Sequence, residues 1–278
     1  MTGTEFMEEV TDYKYRDIGK DQLMDHRHSH GNCYEIVQVI AGEGTFIIDN
    51  EIYPLEGGAV YLINGIDIHC TNPQKPEAYI RNKVVISAGF IHKVADALDC
   101  REVLEGLFGG GKSILLTEEW FQYIDRRMKQ IGEALASDLY GRRIGVSLGV
   151  LDICNALYHH SQAAVLPVEG ILGEAMKYIN DHITEKILLD EICAHINMNK
   201  YHLCHLFKQT TSMTISEYIL EKRLSIAKRK LLMTEYSLSE IALDTGFGSF
   251  SYFSTVFKRN VGISPREFRR QYACKFDV

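Results

Sequence analysis

An α+β multidomain chain is what the sequence predicts: a β-rich N-terminal domain followed by a C-terminal domain built only of helices. Three observations point to it. Short Val-, Ile- and Tyr-rich runs separated by turn signals fill residues 26–90. Apolar residues three and four apart take over from about residue 91. One helical pattern then occurs twice between residues 189 and 268. At 278 residues and 46% hydrophobic, the chain is long enough for two domains with separate cores.

The strands come first. YEIVQVI, GTFIID, AVYLIN and IRNKVVIS have strand length and composition, and GEG, PLEGG and NPQKP between them supply turn chemistry. Several short strands at this spacing suggest a small barrel or sandwich, placed at residues 1–95. Residues 96–165 hold EEWFQYIDRRMKQIGEALAS and IGVSLGVLDICNALYHH, both with helical periodicity. The second of these is apolar around most of its circumference and needs burial on more than one side. Packing on the β domain and pairing with a second copy supply that burial, so a homodimer is expected. LPVEG at 166–170 reads as a linker, and 171–278 reads as helices throughout.

A net charge of −7 argues against nucleic acid only on average. Residues 170–278 hold 15 Lys and Arg against 12 Asp and Glu, a balance of +3 that leaves −10 upstream. The basic surface lies where a phosphate-facing module needs it. No run of 18 uncharged apolar residues occurs, and MTGTEFMEEVTDYKYRD lacks the layout of a signal peptide. A cytoplasmic protein without a membrane span is expected. The seven cysteines, Cys33, Cys70, Cys100, Cys154, Cys193, Cys204 and Cys274, are scattered and form no CxxC pair, which argues against a disulfide framework or zinc finger.

The repeat runs at an offset of 49 that becomes 50. Leu189, Ile192, Cys193 and Asn197 match Leu238, Ile241, Ala242 and Gly246; then Leu203, Leu206, Phe207, Lys208, Glu217 and Tyr218 match Phe253, Val256, Phe257, Lys258, Glu267 and Phe268. A helix-turn-helix needs a small residue where its helices touch, here Cys193 and Ala242. Four residues later it needs a residue tolerant of positive φ, here Asn197 and Gly246. Leu203, Leu206 and Phe207, like Phe253, Val256 and Phe257, fall on one helical face and anchor it. The opposite face is left free. Asn199 and Ser249 stand at N-cap positions. SEYILEKRLSIAKRKLLM, roughly 18 residues, forms a connecting helix about 27 Å long at 1.5 Å per residue. Adjacent major-groove faces of B-DNA lie about 34 Å apart, so both second helices can address one side of a duplex.

Residues 171–272 resemble the DNA-binding domain of the AraC/XylS family of transcription regulators. The resemblance is carried by LDEICAHINMNKYHLCHLFKQTTSMTISEYILEKRLSIAKRKLL and SLSEIALDTGFGSFSYFSTVFKRNVGISPREFRRQY. It implies a sequence-specific DNA-binding regulator, more often an activator, that is not an enzyme and has double-stranded DNA and RNA polymerase as partners. It also implies base readers at Tyr201, His202, Cys204 and His205 in the first copy and Phe250, Ser251, Ser254 and Thr255 in the second. Lys200, Lys208, Lys258, Arg259, Arg269 and Arg270 would face phosphates, and Arg223 would be structural. The first copy departs from the pattern at Cys193, His205 and Ser212. Neutral imidazole reads guanine less well than guanidinium, which bonds O6 and N7 together.

Upstream, His28-x-His30-x4-Glu35-x6-Gly42 fits the spacing of the first cupin motif, and His69 follows eleven residues after Gly58. Asn64 stands where the second motif commonly has Pro. In cupin enzymes such a set holds one divalent metal. One alternative is therefore a metal-dependent cupin enzyme, with iron, manganese or zinc on His28, His30, Glu35 and His69, fused to DNA-binding units. Sensor domains of the regulator family resemble cupins too, which implies instead a cupin-like barrel that binds no cofactor. His28, His30, Glu35, His69, Tyr79 and Arg81 would line its pocket for a small-molecule effector, a sugar or another polar metabolite. The same residues also suit plain packing. The effector pocket is the preferred expectation.

Overall fold

The computed structural model describes residues 9–18, 33–49, 51–67, 69–109, 112–160, 170–211 and 213–272. They divide into two compact units, one β-rich with flanking helices and one helical.

In the first unit, β1 (Val10–Ile18), β2 (Cys33–Ala41), β5 (Ala59–Asn64), β7 (Ile80–Ser87) and β8 (Lys112–Leu115) form one sheet in the order β1-β7-β2-β5-β8. A second sheet joins β3 (Glu43–Ile48), β4 (Glu51–Glu56) and β6 (His69–Pro73) in the order β4-β3-β6. The expected barrel is corrected here: among the described residues the strands form two open sheets. Each keeps its edges, β1 and β8 in one and β4 and β6 in the other.

Period two sorts every side chain of β2. Glu35, Val37 and Val39 lie opposite Val85, Lys83 and Arg81 of β7, and Glu35 and Val37 lie opposite Ile63 and Tyr61 of β5. That face shares a core with Phe46 and Ile48 of β3 and with Tyr53 and Leu55 of β4. The alternate residues Tyr34 and Ile36, with Val84, Ile86, Val60 and Leu62, pack against helices α1 (Ala88–Ala97), α2 (Arg101–Phe108), α3 (Glu118–Leu135) and α4 (Leu139–His160). Both faces of this sheet are covered, so its central strands read as nearly continuous apolar runs.

A buried polar network ties the helical face to α3. Asn82 Nδ2 donates to Gln38 Oε1 and to Asp125 Oδ1, both at 2.8 Å, and Gln38 Nε2 donates to the Phe121 carbonyl at 2.9 Å. Arg16 Nη2 closes the network on Asp125 at 2.9 Å. Each amide buried without such a partner would cost about 1–3 kcal/mol. Helix α4 buries Val146, Val150, Ile153 and Leu157 but exposes Tyr140, Ile144, Leu148 and Tyr158, a second apolar stripe at helical spacing.

The second unit holds α5 (Ile171–Asp181), α6 (Leu189–His195), α7 (Lys200–Thr211), α8 (Ile215–Met233), α9 (Leu238–Asp244), α10 (Phe250–Val261) and α11 (Pro265–Tyr272). At 19 residues, α8 spans about 28 Å. Thr214 caps it, accepting from Glu217 N at 3.3 Å while the Glu217 carboxylate accepts from Thr214 N at 2.8 Å. Ser264 and Glu267 repeat this box at α11 with 3.2 and 2.9 Å. The matched residues Glu217 and Glu267 thus do the same work. No helix of the described residues is long and apolar enough to cross a membrane.

Candidate functional site

The two helix pairs, α6–α7 and α9–α10, are closed by the same turn. Asn197 and Gly246 adopt positive φ, 51° and 76°. Met198 N donates to the Cys193 carbonyl and Phe247 N to the Ala242 carbonyl, each at 3.0 Å. Asn197 N and Gly246 N donate to the carbonyls of Ala194 and Leu243. This paired 6→1 and 5→2 bonding is the Schellman termination of a helix, which requires the left-handed residue. Asn199 Oδ1 then accepts from His202 N at 2.9 Å, and Ser249 Oγ from Tyr252 N at 3.3 Å, starting α7 and α10.

Inward, Leu203, Phe207, Phe253 and Phe257 have no solvent exposure at all. Phe207 meets Tyr218 edge to face at 5.4 Å, and Phe257 meets the matching Phe268 at 5.5 Å. Outward, Tyr201 is 76% exposed and is joined by exposed His202, Cys204 and His205. On α10, Phe250, Ser251 and Thr255 are exposed and Ser254 is half-buried. The structure therefore collects the eight expected readers onto the free faces of two helices. Thr255 Oγ1 donates to the Ser251 carbonyl at 3.0 Å, so outward it offers an acceptor and a methyl group. Tyr252, 56% exposed, was not anticipated; its aromatic ring was read only as part of the family motif.

The cations divide. Lys208, Lys258, Arg259 and Arg270 are exposed, and Lys200 is exposed beside Asp190 at 3.2 Å. Arg269 is half-buried, donating through Nε to the Leu231 carbonyl at 3.2 Å and through Nη2 to the Thr234 carbonyl at 3.3 Å. Its charge therefore sits at the carbonyl end of α8, where cations are favoured. Exposed Arg266, which sequence reasoning missed, lines a groove of about 530 Å³ with Ser264, Glu267, Arg269 and Arg270.

A family model described as a helix-turn-helix domain matches residues 192–271. An Escherichia coli protein named uncharacterized HTH-type transcriptional regulator YdiP is 24% identical over 251 residues, 88% of this chain and 81% of that protein. The HTH-type transcriptional activator RhaR of Cronobacter sakazakii is 26% identical over 249 residues, 88% of this chain and 87% of its own length. A solved regulator from Chromobacterium violaceum, described as containing an AraC-type DNA-binding domain, is 34% identical. It covers 38% of this chain and 94% of its own, with a TM-score of 0.36. The chain belongs to the AraC-type transcriptional regulators. Its function is DNA-binding transcription regulation.

The regulator's other candidate site lies between the sheets of the first unit. Glu35 of β2 and His69 of β6 come from different sheets, yet His69 Nε2 lies 3.0 Å from Glu35 Oε2, both buried. The Arg81 guanidinium stacks over the fully buried Tyr79 ring at 5.4 Å and contacts Asp17 at 3.4 Å. Burial, then the neighbouring Arg81 and Glu35, set the Tyr79 phenol, whose pKa is raised overall, so it stays a neutral donor at physiological pH. Among the described residues the Tyr79 hydroxyl and Arg81 Nε make no hydrogen bond. Lys83, also buried, pairs with Asp12 at 2.5 Å and was missed. The available signal was Arg81 and Lys83 two apart in an apolar strand.

Of the six expected pocket residues, Glu35 pairs with His69 and Arg81 stacks on Tyr79; His28 and His30 lie outside the described residues. Of the four expected metal ligands, Glu35 and His69 are among the described residues, and their facing atoms pair with each other. No group of three or more potential ligands gathers among the described residues.

Proposed function

We propose that the protein is a ligand-responsive activator that reads DNA with two unequal helices, α7 and α10, under control of a small polar molecule bound between its sheets. The observation that carries this is the repeated split of each second helix: buried anchors inward, and an uncommitted polar and aromatic face outward. α7 offers tyrosine, imidazole and thiol; α10 offers phenylalanine and small hydroxyls. Neither offers a guanidinium among the candidate readers, so thymine methyl contacts and DNA shape carry much of the discrimination. Lys200, Lys208, Lys258, Arg259, Arg266 and Arg270 face phosphates, while Arg269 holds the end of α8.

Residues 1–95 form the sensing region, 96–165 the coupling and dimerising region, 166–170 the linker and 171–278 the DNA-reading region. The unsatisfied donors of Tyr79 and Arg81, beside Glu35, His69 and Lys83, support a sugar or another polar metabolite as effector. The exposed stripe Tyr140, Ile144, Leu148 and Tyr158 supports a homodimer through α4. Activation rather than repression of transcription is supported by the relative named as an activator.

Selection from a random duplex pool with the full chain supplies the operator for the test. On it, Phe250→Ala and Tyr201→Ala should each weaken binding by about 1–3 kcal/mol and relax preference at the positions they read. Unchanged affinity and preference in both variants would remove α7 and α10 as readers.

A further inference from the structure

Between the two helix pairs, α8 is not the sole connection. Arg223, half-buried on α8, reaches back to the loop between α5 and α6, donating through Nε to the Ile183 carbonyl at 2.9 Å and through Nη2 to the Glu185 carbonyl at 2.5 Å. The same Ile183 carbonyl lies against the turn of the other pair. A Cβ placed on Gly246 would fall 2.7 Å from that oxygen and 2.8 Å from Arg223 Nε. Gly246 therefore serves two purposes: its φ of 76° terminates α9, and its missing side chain lets the second turn close on the loop that leads into the first pair.

We infer that Arg223, with the Ile183 carbonyl and Gly246, is a positioning joint that fixes the spacing and rotational phase of the two reading helices. The inference rests on the proposal that α7 and α10 both read DNA. A helix of 19 residues bends under load, and a bend at its middle moves the far reader by ångströms. A planar guanidinium fork held by two carbonyls resists such a bend, because both bonds must lengthen together. Lysine, a single flexible point charge, cannot reproduce that geometry. Readers held in phase bind as one unit; readers free to drift lose effective concentration for the second contact.

The test uses the full chain and the operator selected from the random pool. One base pair inserted between the two recognised segments displaces one from the other by roughly 3.4 Å and 35°. The wild type should lose about tenfold or more in affinity on that insertion. Arg223→Lys should bind the original operator about tenfold more weakly, and the insertion should then cost it less than about threefold. Its affinity for a duplex carrying a single segment should stay within about twofold of wild type, since no reader is altered. Gly246→Ala presses on the joint from the other side without changing any charge and should flatten the spacing dependence too, but it also strains the left-handed turn of the second pair, so Arg223→Lys decides the test. Thermal unfolding of both variants confirms that the chains compared are folded.

A folded Arg223→Lys that keeps wild-type affinity and wild-type spacing dependence overturns the joint while leaving two readers in place. A selection that returns one recognised segment overturns the two-reader proposal, and the joint with it.

Discussion

In the first helix pair Leu188 precedes α6 and has no side-chain oxygen to offer it, so of the two side-chain bonds of a capping box only the Glu191 carboxylate is present, accepting from Leu188 N at 3.0 Å. In the second, Ser237 Oγ accepts from Glu240 N at 3.2 Å while Glu240 accepts from Ser237 N at 2.7 Å, a complete capping box. The turns differ in the same direction, with Asn197 tolerating the left-handed conformation that Gly246 adopts freely. The cores differ likewise: Phe257 is flanked edge to face by Phe253 and Phe268, whereas Phe207 has Tyr218. The repeat keeps the left-handed turn and the buried anchors in both pairs and lets the cap and the reading face differ. The second pair is the better-built frame with a plainer reading surface, and the first is a looser frame with a chemically richer one.

That contrast is broken most decisively in the cores. Phe257→Ala should cost about 3–5 kcal/mol in urea unfolding, because a fully buried ring leaves a cavity among two other rings. Phe207→Ala should fall in the same class and at its lower end, since its aromatic neighbourhood is smaller. A cost near 1 kcal/mol for Phe257→Ala would mean that the aromatic cluster closes over the loss, and the second pair would not be the firmer frame.

A smaller effect is expected at the caps. Leu188→Ser should complete the first box and stabilise the chain by about 0.5–1 kcal/mol, and Ser237→Ala should remove about as much. Hydrogen bonds from the Ser237 side chain and backbone hold Glu240 below the ordinary carboxylate range. A folded-state pKa lowered in this way contributes stability above the unfolded value and loses it as pH falls through the folded value. The Ser237→Ala difference should therefore shrink on acidification below the ordinary glutamate range. Thermal melts across acid pH measure both, and identical melts for Leu188→Ser and wild type would erase the distinction between the pairs.

Much of the helical unit was legible because its signals are local. Small residue, left-handed residue and anchors recur at fixed offsets, and each answers to one backbone or packing demand. The anchoring of Arg269 was not legible because its partners, the Leu231 and Thr234 carbonyls, lie 38 and 35 residues away in sequence. Strand β1 was hidden by its charges. Tyr13 and Tyr15 pack toward the helices, while Asp12 and Asp17 serve Lys83 and Arg81, so its period of two reads as an acidic tail. Strand β4 was hidden by Pro54, tolerated because β4 is an edge. Helices α1 and α2, of 10 and 8 residues, are too short to establish a period. The sheet interior was half legible: spacing found Glu35 and His69, but only strand register brings Lys83 beside Val37 and onto the same face.

The gentlest perturbation bears on the first pair's reading face. Cys204 is exposed on the free face of α7, whereas Cys154 is buried in the first unit with its thiol pushed up to about 12 by burial. A raised thiol pKa keeps the neutral form, so at pH 8 Cys154 is almost wholly the unreactive thiol, and it is shielded from solvent. Brief alkylation of the native chain, mapped by peptide mass, should modify Cys204 and spare Cys154 until denaturant is added. Operator DNA should then slow Cys204 modification by about tenfold or more, because a reader seated in the major groove is covered on this face. Equal rates with and without operator would leave α7 facing solvent on bound DNA. The first pair would then be a strut that positions α10, and the inequality between the two readers would become a division of labour.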